Sequence, residues 1–160
     1  MSQNGGRTSA SQQRINLRSS QAKLKALLAA NFQNGAQLIT LTYYSGSRAP
    51  SHRLAVLQIS DWLRAARNSS QSLRYIRTIE QKTPRHYPVH RIVIAQSEPV
   101  GAALTALWRY GPVTSEPVQK GDLEELAARL TASEARNEQN GGRMWSASLG
   151  LIRPRKENKK

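Results

Sequence analysis

Val89 to Ala95, VHRIVIA, is the stretch on which the fold turns. It is short, rich in β-branched residues, and bounded by the Pro-punctuated segment Lys82 to Pro88 (KTPRHYP) and the polar run that begins at Gln96. This composition predicts a strand. Upstream, Leu73 to Glu80 reads as the strand paired to it across the turn. Further back, Val56, Ile59, Leu63 and Ala66 follow helical spacing and predict a helix over about 52–67, with Ser51 as its N-cap. Before the SGSRAPS loop, Gln37 to Tyr44 (QLITLTYY) reads as another strand. Leu24, Leu27 and Leu28 mark a helix over about 15–31, ended at Asn34-Gly35.

Downstream of VHRIVIA, a short helix is expected after Pro99, with Leu104, Leu107 and Trp108 on one side. Tyr110 to Val118 is a broken extended stretch. Leu123, Leu126, Ala127 and Leu130 predict a helix over about 121–136, and Met144 to Leu149 a last strand. Without the first helix the order is β-α-β-β-α-β. The expectation is an α+β, ferredoxin-like (split βαβ) fold: a four- to five-stranded antiparallel sheet with helices mainly on one face. The other face is left for a ligand or an extra helix. The domain is expected at 14–152, between a disordered polar and basic tail at 1–13 and a basic tail at 153–160.

The 160 residues allow one core. Lys and Arg number 24 against 10 Asp and Glu, a net charge of +14. No acidic residue precedes Asp61, whereas seven basic ones do, and the last eight residues hold five. Such a chain favours phosphate backbones, because each neutralised phosphate releases condensed counterions. An anionic membrane is disfavoured, since no helix joins a basic face to bulky apolar anchors. Cysteine is absent, which removes disulfides, thiolate metal sites and cysteine nucleophiles. With no secretory signal and no apolar run of membrane-spanning length, a bacterial cytoplasm is the expected location.

Three segments in order carry a family resemblance: Leu38 to Tyr43 (LITLTY) after ANFQNG; Tyr75 to Glu80 (YIRTIE) before HRIVIA; and Arg143 to Pro154 (RMWSASLGLIRP). Over about residues 24–154 the chain resembles the rolling-circle replication initiators, the Rep endonucleases of phages and mobile elements in the HUH superfamily. That resemblance implies a sheet with His-U-His on a strand, a divalent metal held with a nearby acid, and a tyrosine on a later helix that attacks the scissile phosphate of single-stranded DNA.

The chain departs from this pattern at each catalytic position. Val89 and Arg91 stand where the paired histidines belong, with His90 between them pointing to the opposite face. Valine cannot ligate, and arginine repels a cation. Glu80 keeps the acid's place and is expected to pair with an arginine. Arg129 stands at the tyrosine's position in LAARLTA, and arginine is a donor, not a nucleophile. The expectation is therefore no catalytic residue, no metal and no cofactor.

The leading reading is a catalytically inactive Rep-derived protein that binds single-stranded or hairpin DNA, RNA being an alternative, with a regulatory or blocking role. Its expected contacts are Arg77, Arg91, Arg129, Tyr44, Arg48, Arg143, Trp145, Arg153, Arg155 and Lys156. Alternation allows Arg77 and Arg91 to face the same way, and with Arg129 on that open face they would form a phosphate cradle. Trp145 suits either base stacking or packing, and one of Tyr43 and Tyr44 must face the core. Two alternatives stand beside this reading. One is a repurposed inhibitor of a host nuclease or nucleoprotein defence complex. The other is an active initiation endonuclease with rearranged residues, Tyr43 or Tyr44 being its nucleophile.

Overall fold

A computed structural model of the chain describes residues 10–32, 35–46, 48–69, 73–81, 83, 85–95, 104–131 and 145–148. Its elements run α1 (Ala10–Asn31), β1 (Gln37–Leu41), α2 (His52–Ser69), β2 (Tyr75–Glu80), β3 (Val89–Ile94), β4 (Val113–Pro117), a 3-10 turn (Lys120–Asp122), α3 (Leu123–Leu130) and β5 (Trp145–Ala147). The strands form one sheet in the order β4-β1-β3-β2-β5. Every neighbouring pair is antiparallel. The chain is thus α+β, as expected. β1 and β2 both oppose β3, so they run the same way and α2 joins them across it. That is the first split βαβ unit. Of the second crossover, between β3 and β4, residues 95 and 104–112 are described.

The run Ile92-Val93-Ile94 is apolar without alternation because both sides of β3 are buried. Ile92 and Ile94 pack with Ile39, Leu41 and Tyr75 beneath Ile59, Trp62, Leu63 and Ala66 of α2. Val93 packs with Leu38 and Ile76 beneath Leu24, Leu27 and Leu28 of α1 and Leu126 and Leu130 of α3. Each such buried aliphatic side chain contributes about 1.5–3 kcal/mol. Helices therefore flank both faces, not mainly one. The face expected to be open is covered at one end by α1 and α3, because α1 brings three leucines that have nowhere else to be buried.

The local signals act largely as read. Leu54 N–H donates to Ser51 Oγ at 3.1 Å, so Ser51 caps α2. Gly35 adopts φ +74 after α1, a left-handed turn that glycine permits. Glu124 and Glu125 in the first turn of α3 and Arg129 in its last complement the helix dipole. Helix α1 begins at Ala10, so residues 10–13, expected in the tail, are helical. Residues 1–9 and the tail at 153–160 lie outside the described residues. No helix among the described residues is long and apolar enough to cross a membrane.

Candidate nucleic-acid interface

Strand register decides where the expected arginines go. Thr78 pairs with Arg91, and Arg77 pairs with Ile92. Paired residues share a face, so Arg77 and Arg91 lie on opposite faces of the sheet. The proposed cradle of Arg77, Arg91 and Arg129 is not formed. Arg91 donates to Glu80 at 3.0 Å, both half-buried, and is spent on that ion pair. Arg129 sits on α3 with Glu116 at 3.9 Å. The shallow cleft beside it is lined by Glu116, Asp122 and Glu125 as well as Arg129, so it repels phosphate rather than collecting it.

The metal centre that the resemblance implies does not fit these residues. Val89 and Arg91 share one face with Glu80, and Glu80 is neutralised by Arg91. His90 points to the other face, as its middle position required, with its Nε2 on Tyr43. Among the described residues no three His, Asp or Glu side chains gather around a common point. Arg143, Arg153, Arg155 and Lys156 lie outside the described residues. Trp145 is placed by its backbone alone, beside Thr78.

A different constellation is assembled at one end of the sheet. Leu41 pairs with both His90 and Val113, so the chain leaving β1, entering β3 and entering β4 meets there. These three segments carry Tyr43 and Tyr44, then His86, Tyr87 and His90, then Trp108 and Tyr110. His52 opens the adjoining helix. Four of the five tyrosines and all three histidines of the chain are thereby gathered.

Tyr43 is the hub. Its ring lies 5.4 Å edge-on to Trp108, 5.8 Å from His90, 6.3 Å from Tyr110 and 6.5 Å from Tyr87. These separations suit edge-to-face and tilted aromatic packing. Trp108 donates from Nε1 to Thr42 O at 2.8 Å, and Tyr44 N–H donates to Tyr110 O at 3.0 Å. Gly111 makes the approach possible: a Cβ there would lie 2.3 Å from Thr42 O and 2.4 Å from Tyr43 Cα. Gln81, buried at the end of β2, donates to Pro50 O and His86 O, each at 3.0 Å, and ties two of the loops together.

The protonation pattern beneath the rings follows from the contacts. Tyr43 donates its hydroxyl proton to Gln58 Oε1 at 2.8 Å. Tyr43 Oη also lies 2.9 Å from His90 Nε2, the donor of that contact being set by the histidine tautomer. His90 Nδ1 and His52 Nδ1 are buried with no hydrogen-bond partner among the described residues. His90 is fully buried. Burial first, then the charges of Arg77 and His52, lower its pKa to about 3, so the ring is neutral at pH 7. Burial also lowers His52. The Tyr43 hydroxyl is held well above the usual tyrosine range by burial and by Tyr110.

Over this buried layer lies an exposed one. Tyr44 is 64% exposed, and Tyr87 and Tyr110 are half-buried. Arg48 and Arg53 follow Tyr44 in sequence, Arg85 precedes Tyr87 and Arg109 precedes Tyr110, all four exposed. Residues 42–60, 81–97 and 99–115 contain no acidic side chain. Tyr44 and Arg48, of the expected contacts, thus stand at this end. Gln58, Gln81, Gly111, His52, Tyr87 and Tyr110 were not singled out by sequence reasoning. The available signal was a tyrosine flanking the end of each of three strands.

Comparison with protein-family models, with curated proteins and with solved structures finds no match.

Proposed function

We propose that this chain is a nucleic-acid-binding protein of replication-initiator descent that holds single-stranded or hairpin DNA without cutting it, in a regulatory or blocking role in a phage or other mobile element. The observation that carries the reading is that Tyr44, Tyr87 and Tyr110, with the exposed Arg48, Arg53, Arg85 and Arg109 near them in sequence, lie on three acid-free segments that strand register brings to one end of the sheet. Single strands are bound by aromatic faces that stack on bases and by cations that track the backbone. A +14 chain adds long-range attraction.

Holding rather than cutting is favoured by the state of Tyr43. A tyrosyl nucleophile must lose its proton as it attacks. Here the proton is committed to Gln58, and burial works against the phenolate. The neighbouring His90 is fully buried with its pKa lowered to about 3, which makes it a weak base.

The test is fluorescence anisotropy with labelled oligothymidine and a DNA hairpin over a salt series. Tight binding at low salt with a steep fall in log affinity against log salt is expected. Tyr44→Ala lowers oligothymidine affinity roughly tenfold, as loss of one stacked base would. With Mg²⁺ or Mn²⁺ the DNA remains uncut. Absence of binding at low salt overturns the reading, and so does a covalent DNA adduct abolished by Tyr43→Phe.

A further inference from the structure

Helix α1 is two helices in one. Its C-terminal half is docked by Leu24, Leu27 and Leu28, and Lys25 reaches Glu124 of α3 at 3.4 Å. From Ser11 to Ser19, every side chain whose exposure is described is exposed, Ile15 by 58%. This half is continuous with the docked half. A segment of this length does not hold a helix alone in water, where about 12–15 residues are needed, so the docked half must nucleate it.

Its charge is of one sign. The helix contains no acidic residue. Arg14 and Arg18, four apart, rise on one flank, and neither joins an ion pair among the described residues. Gln12 and Asn16, hydrogen-bonded to each other at 2.9 Å, and Ser19 supply amide and hydroxyl groups. Arginine, amide and hydroxyl side chains are those that contact phosphates and base edges. A helix about 10–12 Å across fits the B-DNA major groove, roughly 12 Å wide, and not the deep, narrow groove of A-form RNA. A lipid surface would need an apolar stripe, which Ile15 and Leu17, two apart and so on different sides of a helix, do not make.

We propose that the N-terminal half of α1 lies in the major groove of duplex DNA, such as a hairpin stem, with Arg14 and Arg18 on phosphates. The inference rests on the nucleic-acid reading above but uses a different surface from the tyrosine end.

The experiment measures anisotropy of a short DNA duplex, the same duplex as RNA, and oligothymidine, for the wild type and for the chain carrying Arg14→Ala and Arg18→Ala together. Alanine preserves the helix, which circular dichroism checks. Duplex affinity is expected to fall about tenfold or more, and the salt slope by roughly 1.8, at about 0.9 per lost phosphate contact. Oligothymidine affinity stays within about twofold, and duplex RNA binds more weakly than duplex DNA. The groove assignment is overturned if the wild type does not bind duplex DNA, if the double substitution leaves that binding unchanged or weakens all three probes equally, or if duplex RNA binds as well as DNA. Failure of oligothymidine alone to bind, with duplex binding still dependent on Arg14 and Arg18, would sink the tyrosine-end reading and leave the groove assignment standing.

Discussion

The two ends of the sheet are built from the same strands and have opposite chemistry. At the end where β1 finishes, four tyrosines, a tryptophan and three histidines meet on acid-free segments edged by Arg48, Arg53, Arg85 and Arg109. At the end where β1 begins, Leu38 lies under α3, and Glu116, Asp122 and Glu125 line the cleft. Two cations there are engaged: Arg129 with Glu116, and Lys25 with Glu124. A net charge of +14 is therefore not a uniform coat. Counterion release needs cations that are not already paired, and among the described residues Arg48, Arg53, Arg85 and Arg109 at the tyrosine end and Arg14 and Arg18 on α1 join no ion pair.

The comparison breaks most sharply at Gly111. Gly111→Ala forces a Cβ against the Thr42 and Tyr43 backbone, which a side-chain adjustment cannot relieve. A loss of about 3 kcal/mol is expected, at the upper end of overpacking effects. Urea denaturation measures it. DNA affinity should fall with it as Tyr43 and Tyr44 shift. A variant of wild-type stability would mean that the two segments do not meet as closely as described.

Acid comes next. His90 is neutral in the folded protein with its pKa lowered to about 3, against about 6.5 when unfolded. The unfolded chain therefore binds the proton first. This contribution to stability is intact above about pH 6.5 and is lost progressively as pH falls toward 3. At pH 4.5 the fold should be roughly 2–3 kcal/mol less stable than at pH 7 on this account, at about 1.4 kcal/mol per unit. Urea midpoints at the two pH values check it. His90→Gln should flatten the dependence, and an unchanged slope in that variant would remove His90 as its source.

The smallest effect belongs to the opposite end. Arg129→Ala breaks a loose, exposed pair at 3.9 Å and should cost under about 0.5 kcal/mol. It should also leave oligothymidine affinity within about twofold. A large loss of affinity would restore Arg129 to the binding surface that the sequence suggested for it.

Much of the architecture was legible in the residues. Apolar spacing located α2 and α3, Ser51 announced its cap, and the run around Val93 announced a strand. Period-two alternation correctly sent His90 away from Val89 and Arg91, and Glu80 took the arginine partner expected of it. The site was less legible. Arg77 and Arg91 were free to share a face on paper, because alternation fixes faces within a strand and not between strands.

The amino-acid order alone determined the α+β alternation, the leucines and isoleucines of the core, the lack of thiol chemistry and the cationic bias of the first sixty residues. Those are local or additive properties, set by side-chain size, spacing and charge. Only the tertiary structure decided which face each strand turns to its neighbour, that α1 and α3 close one end of the sheet, and that Tyr43, Tyr87 and Tyr110 converge at the other. Convergence depends on the pairing register of Leu41 with His90 and Val113. Register is fixed by long-range burial, since a slip of one residue would carry every buried side chain of the strand to the opposite face.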